Sequence, residues 1–490
     1  MQRVTLRREP RLDPKHQAFG YQAEAVNAIR DLQYAAVFHE QGLGKTKIAV
    51  DLALYWLERR DVDTVLFVVK KGLVRNWQKE LAAHTFITPK VLTQNRHANF
   101  FVFNSPARIM IAHYEILKTE KERIALFLAT RDVAVVLDEA AKIKNPDSEI
   151  TTVLFQLAPL FKKRVIMTGT PVANRPYDIW AQIYFLDQGA SLGGDFAQFK
   201  HSTDLSSDLA DSSSAQAQFE ACLQHIFAKT SAFSVRQTKS SGIISLPEKV
   251  IQGITTTWET HQFELYRQLR DDLRAVVVRN GMPSQETSEE LLKRLVRLLQ
   301  IAANPRLVDS GYSREPGKLP FLLDIVGTVR SKNEKCIVWT SYTQNADWLA
   351  RELRGFGTCR VHGKLSIVER NKSIESFISK EDIGVLVATP GAAKEGLTLT
   401  VANHVIFYDR SFSLDDYLQA QDRIHRISQE RTCYVYNLIM EDSIDEWVDV
   451  LLHSKQMAAQ LAQGDITLAY FRSQMSYSFN DVLKSILKVD

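Results

Sequence analysis

Cysteine is scarce in this sequence, and no apolar run is long enough to cross a bilayer. Cys222, Cys336, Cys359 and Cys433 are scattered through 490 residues without a C-x-x-C pair. They read as reduced thiols of an intracellular protein, which argues against a disulfide scaffold or a zinc site of paired cysteines. The opening residues MQRVTLRREPRLDPKH are polar and basic and lack the apolar segment of a secretory leader. The expected location is the cytoplasm, of a bacterium or a phage-infected cell, away from any membrane. Charge of one sign is not in excess either. A net +4 prescribes no nucleic-acid partner, although it permits a local basic groove. No repeat of solenoid period is present. Apolar residues make up 45% and charged residues 24%, the composition of a globular chain, with length for roughly two to four domains.

Short β-rich apolar runs alternate with helical patterns: YAAVF (34–38), TVLFVV (64–69), RIMIAHY (108–114), VAVVLDE (133–139) and RVIMTGT (164–170). Near-continuous apolar strands separated by helices predict a parallel sheet covered on both faces. A second set follows at KCIVWTS (335–341), TCRVHG (358–363), IGVLVAT (383–389), HVIFYD (404–409) and CYVYNL (433–438), which predicts a second α/β sheet in series. Between the sets the Ser- and Asp-rich 201–217 reads as a loop. The stretch 287–302 predicts a helix, with Thr287 and Glu290 spaced as a capping box and Leu291, Leu292, Leu295, Leu298, Leu299 and Ala302 on one face.

Two places carry chemistry. FHEQGLGKTKIAV (38–50) runs from a strand through a glycine turn into a helix. Gly42 and Gly44 let backbone N–H groups converge on an anion, Lys45 supplies a point charge for β- and γ-phosphates, Thr46 a hydroxyl for Mg²⁺, and the helix a favourable dipole. His39 stands where the common phosphate-loop pattern has glycine. The second place is Asp138-Glu139, two carboxylates at the carboxyl end of an apolar run. One can hold a metal's water shell while the other orients and deprotonates an attacking water. Arg423 and Arg426, spaced i, i+3, are predicted to project from one helical face.

HEQGLGKT (39–46), LDEAAKIKN (137–145), RVIMTGTPVAN (164–174) and QAQDRIHRISQ (419–429) resemble the ordered motifs of superfamily-two helicases, specifically the Swi/Snf-type DNA translocases. The last string is the most specific. GYQAEAV (20–26), FVVKKGLVRNWQKE (67–80), SVRQTKSSGIISLPEK (234–249), LLQIAANPRLV (298–308) and EGLTLT (395–400) extend the resemblance from about residue 18 to about residue 455. It implies two RecA-like parallel-sheet lobes in tandem, at 1–190 and 316–455, with a helical insertion at 191–315 and a helical tail at 456–490. ATP and Mg²⁺ are the implied cofactors. Gln22 resembles the adenine-reading glutamine, and Gln41, Leu43 and Lys47 complete the nucleotide contacts of the glycine turn. Arg423 and Arg426 become charge donors to the γ-phosphate from the second lobe, a role worth roughly 10³–10⁵ in rate. Gly396 resembles the glycine of the second lobe's coupling loop, and Thr168, Gly169 and Thr170 the link that reports nucleotide state to the DNA groove.

The same resemblance implicates Lys71, Asn76, Trp77, His113, Tyr114 and Asn174 of the first lobe, and Ser341, His362, Lys364, Thr389 and Lys394 of the second, in binding the DNA backbone. Taken alone, Trp77 reads as a packing residue. Such contacts would be sequence-independent and salt-sensitive. Three departures stand out: Ala141 where histidine is usual, Phe412 where tryptophan is common, and Ala393-Lys394 in place of paired glycines. The implied protein is a monomeric, compact bacterial or phage-like ATPase that moves along double-stranded DNA, with room for a protein partner. The alternatives are a strand-separating or branch-migrating helicase, and a nucleic-acid-binding scaffold with weak ATPase.

Overall fold

The computed structural model describes residues 9–172, 174–204, 212–244, 246–280, 288–392 and 399–475, with backbone alone for 274–280 and 288–292. Two compact units result. The first is built from the described residues up to 204, from 214–244 and from 458–471, the second from 212–213, 246–457 and 472–475. The insertion expected at 191–315 is thus divided between the units, and part of the expected tail belongs to the first.

The first unit contains β1 (Tyr34–Val37), β2 (Thr64–Val69), β3 (Lys90–Val91), β4 (Ile109–His113), β5 (Val133–Asp138), β6 (Lys163–Met167) and β7 (Ser234–Val235). They form one sheet in the order β3-β4-β2-β5-β6-β1-β7, and every pairing is parallel. All six residues of β2 are buried because helices cover both faces, which explains the unbroken apolar run. On one face Trp56, Phe67, Trp77 and Leu81 pack into a continuous core, with the Phe67 and Trp77 rings 4.7 Å apart.

The second unit contains β8 (Lys249–Thr256), β9 (Cys336–Trp339), β10 (Thr358–Val361), β11 (Val385–Ala388), β12 (His404–Phe407) and β13 (Cys433–Met440). Their order is β10-β11-β9-β12-β13-β8, again wholly parallel. The predicted helix appears at Ser288–Ala303; its Leu295, Leu298, Leu299 and Ala302 are buried against Tyr266, Leu414, Ile444 and Val448. Its capping-box residues and Leu291 and Leu292 lie outside the described side chains.

A parallel sheet sends all its carboxyl-end loops to one edge, where open α/β sheets bind ligands. In the first unit that edge gathers the loops after β1, β2, β4, β5 and β6.

Candidate functional site

The glycine turn leaves β1 and enters the Lys45–Glu58 helix with Gly42 at φ 85° and Gly44 at φ 70°. Both angles belong to the left-handed region that favours glycine. A Cβ on Gly44 would also stand 2.2 Å from Gln22 Nε2. Gln22 is buried behind the turn: its Oε1 accepts the Phe19 N–H at 3.0 Å and caps the Gly20–Ile29 helix. Its neighbour Tyr21 donates its hydroxyl to the Leu43 carbonyl at 3.1 Å. Together they brace the turn from behind. Lys45 Nζ reaches the carbonyls of His39 at 2.9 Å and Glu40 at 3.3 Å, and Thr46 is half-buried on the first helical turn.

Close approach of a second loop explains another glycine. A Cβ on Gly169 would meet Gln41 Cγ at 2.8 Å and Lys45 Nζ at 3.3 Å. Thr168 and Thr170 flank it in burial, with the Thr170 N–H donated to Thr168 Oγ1 at 3.2 Å. The Thr-Gly-Thr segment therefore lies directly against the glycine turn.

The carboxylates complete the edge. Asp138 Oδ2 accepts the Trp77 indole N–H at 2.7 Å, and Tyr114 donates its hydroxyl to the Asp138 carbonyl at 2.8 Å. Burial, and then the neighbouring Glu139, push the Asp138 carboxyl up to about 6, opposed by the Trp77 hydrogen bond and by Lys45 and Lys70. Glu139 has φ 53°, an uncommon conformation for a residue with a side chain and a known companion of functional sites. Its Oε1 accepts from Gln41 Nε2 at 3.3 Å, while Oε2 is buried without a hydrogen-bond partner. Leaving a buried acceptor unmet costs about 1–3 kcal/mol.

His39, at the position where phosphate loops usually carry glycine, is buried beside this edge with its ring stacked on Tyr21 at 6.1 Å. Burial, then the Lys45 charge, lower its pKa to about 4, against the Val235 carbonyl which raises it. The imidazole is neutral at physiological pH and adds no cation.

The residues present fit a Mg²⁺-nucleotide. Among the described residues no group of three or more His, Cys, Asp or Glu side chains could hold a metal ion. Thr46 and Asp138 are the two protein candidates.

Several expectations require correction. Lys47 is buried and ion-paired to Asp51 at 2.5 Å on its own helix, which leaves it unsuited to contact a nucleotide. Trp77 and Tyr114 are 2% and 0% exposed and serve Asp138 instead of a DNA backbone. His113 is buried against Glu115 at 2.9 Å, and His362 against Asp347 at 2.9 Å; Thr389 is buried too. Lys71, Asn76 and Lys364 are exposed, while Asn174 and Ser341 are half-buried. Lys394 and Gly396 lie outside the described residues.

Arg423 and Arg426 do not share a helical face. The Leu414–Gln421 helix ends before them, with Asp422 as its C-cap. Gln429 fixes the turn that follows: its Nε2 donates to the carbonyls of Thr400, Ala402 and Ile424 at 3.2, 2.9 and 3.1 Å. Arg426 Nε donates to the Asp422 carbonyl at 2.9 Å, whereas Arg423 is buried. Phe412 meets Trp447 edge to face at 5.3 Å, so a nearby indole fills space around the smaller ring.

Comparison with known proteins gives the family. The SNF2-related domain matches residues 21–307, and the helicase conserved C-terminal domain matches residues 317–428. The chain belongs to the SNF2-related family. The putative ATP-dependent helicase/translocase YwqA of Bacillus subtilis is 28% identical over 442 residues, covering 86% of this chain and 46% of the relative. The ISWI chromatin-remodeling complex ATPase ISW2 of Saccharomyces cerevisiae is 25% identical over 460 residues, covering 87% of this chain and 39% of the relative. This SNF2-family chain thus spans less than half the length of these curated relatives. The Sulfolobus solfataricus SWI2/SNF2 ATPase core in complex with dsDNA aligns over 97% of this chain and 99% of that chain, at 22% identity and TM-score 0.43.

Sequence reasoning missed the bracing role of Tyr21 and the positioning roles of Trp77 and Tyr114. A tryptophan eight residues after one strand and a tyrosine directly after another carry no local sign of a shared aspartate. Their meeting depends on β2 lying between β4 and β5 in the sheet.

Proposed function

We propose that this chain is an ATP-driven motor of the SNF2 family that translocates on duplex DNA without sequence specificity. The observation that carries the proposal is the buried, unpartnered Glu139 Oε2, held in a left-handed backbone next to Asp138 and bonded through Oε1 to the glycine turn. In this reading Lys45 leaves its loop carbonyls for the β- and γ-phosphates, and the turn's N–H groups cradle them. Thr46 and Asp138 would hold a Mg²⁺ ion, which would supply positive charge to the phosphates when bound. Glu139 orients the attacking water and takes its proton. Trp77 and Tyr114 hold Asp138 at a fixed angle. Arg423 and Arg426 are the charge donors to the γ-phosphate in this reading. Thr168, Gly169 and Thr170 relay nucleotide state, since a shift of Lys45 is felt by the segment packed on it. Lys71, Asn76 and Lys364 contact DNA phosphates from exposed positions, supplemented by Asn174 and Ser341.

The family and the names of its relatives, a helicase/translocase and a chromatin-remodeling ATPase, favour a nucleic-acid track. The discriminating experiment measures ATPase rate with no nucleic acid, single-stranded DNA, duplex DNA and RNA in parallel, joined to a triplex-displacement assay. Stimulation by duplex and displacement of the third strand are expected. Unwinding of forked or four-way substrates would favour a strand-separating or branch-migrating helicase, and absent hydrolysis a nucleic-acid-binding scaffold.

A further inference from the structure

Within the second unit, the Leu414–Gln421 helix, the edge strand β8 and the Ile444–Ala462 helix enclose a cavity of about 240 Å³. It is lined by groups that the hydrolysis scheme does not use. Gln421 is 1% exposed and Asn437 is 4% exposed. Lys249 Nζ donates to Gln421 Oε1 at 3.2 Å. An ammonium only donates, so the amide's orientation is fixed and Nε2 must face away from the lysine. That Nε2 is buried without a hydrogen-bond partner, as are Arg410 Nη2 and Asn437 Oδ1. Arg410 Nη1 is bonded to Asp449, and Asn437 Nδ2 donates to the Tyr417 hydroxyl at 2.9 Å. Two orphaned donors and one orphaned acceptor therefore belong to side chains that line one cavity, with Lys249 adding positive charge and Asp449 balancing Arg410. Buried polar groups left in this way need an explanation, since the great majority in folded proteins are paired.

We propose that this cavity is a binding site for a small hydroxylated oxyanion of the phosphate class. Its oxygens accept from Gln421 Nε2, Arg410 Nη2 and Lys249 Nζ, and its acidic O–H donates to Asn437 Oδ1. Ordered water can satisfy either kind of group, but the excess of donors and the unneutralised ammonium select an anion. The site lies two residues before Arg423 along the chain. Its occupancy ties Gln421 and Arg410 together and stiffens the segment that leads into the arginine turn.

The proposal stands apart from the nucleotide site, and the experiment separates the two. Inorganic phosphate binding is measured by titration calorimetry on the full chain, on Lys45→Ala, and on Lys249→Met and Gln421→Leu, each checked for folding by circular dichroism. Saturable binding that persists in Lys45→Ala and weakens about tenfold or more in Lys249→Met is expected, as one charge-assisted contact is lost. Gln421→Leu weakens it similarly, and sulfate competes less well because it lacks the acidic hydrogen. Phosphate binding that vanishes in Lys45→Ala and survives in Lys249→Met overturns the proposal, as does the absence of saturable binding in the parent, which would leave a cavity filled by water alone.

Discussion

Two carboxylates sit at corresponding places in the two sheets and are treated in opposite ways. Asp138 ends β5 in the first unit and Asp409 follows β12 in the second. Asp409 is buried and bonded on both oxygens: Thr340 Oγ1 donates at 2.5 Å, the Ser341 N–H at 2.7 Å and Asn345 Nδ2 at 3.4 Å. Burial raises its pKa while these bonds lower it. Asp138 has the Trp77 indole as side-chain donor, and its neighbour Glu139 keeps one oxygen unmet. A carboxylate with donors on both oxygens fixes a loop, in this case the one that carries Ser341. A carboxylate left short of donors is reserved for something that arrives. The two strand ends look alike in sequence, and the hydrogen-bond inventory separates holding from chemistry.

The largest effect that tests this contrast is expected in the first unit. Glu139→Gln removes the base and leaves the volume unchanged, so steady-state ATP hydrolysis should fall by about 10²–10⁴ while nucleotide-dependent DNA affinity persists in a filter-binding assay. Hydrolysis within a factor of a few of the parent would remove the assignment. In the second unit the matching change, Asp409→Asn, turns an acceptor into a donor that faces donors. It should cost about 1–3 kcal/mol of stability in chemical denaturation and leave hydrolysis per folded molecule largely intact. A rate loss comparable with that of Glu139→Gln would erase the distinction.

His39 offers a pH-dependent version of the same comparison. Its folded pKa of about 4 lies below the ordinary 6.5, so folding favours the neutral ring. That stabilisation is complete above about pH 6.5 and is lost as pH falls toward 4, an effect on the order of 1–3 kcal/mol. Thermal melts between pH 7 and 4.5 should show it, and His39→Asn should flatten that acid limb. An unchanged limb would mean that other groups set the acid sensitivity. The smallest effect is expected from Trp77→Phe, which keeps an aromatic ring in the core and deletes the N–H to Asp138. Hydrolysis should fall about tenfold, a charge-assisted hydrogen bond's worth, with duplex affinity in the absence of nucleotide unchanged. A selective loss of DNA binding would return Trp77 to the nucleic-acid surface.

Most strands were legible because burial on both faces of a parallel sheet leaves unbroken apolar runs, as in TVLFVV and VAVVLD. The strands that were not legible are edges or stubs. β8 is polar and half-exposed along most of its length, and β3 and β7 have two residues each. Neither pattern differs from that of a loop until a neighbour pairs with it. The glycine turn and the paired acids were readable for a local reason: a phosphate cradle needs particular backbone freedom and particular charges within a few residues. The arginine turn was misread as a helix because i, i+3 spacing carries no sign of the stop after Gln421, which depends on Gln429 bonding carbonyls almost thirty residues away in the chain.

The sequence by itself determined the alternation of strand and helix, the glycine turn of Gly42 and Gly44 that leads into the helix beginning at Lys45, and the two acids at the end of β5. These features are set by bonding geometry and burial over short spans of chain. Only the tertiary structure decided that Trp77 and Tyr114 serve Asp138, that Gly169 must be glycine because Gln41 and Lys45 press against it, and that Glu139 keeps one oxygen unmet. Each of these depends on which strands lie side by side, and strand order in a parallel sheet follows from long crossover connections that no short stretch of sequence encodes.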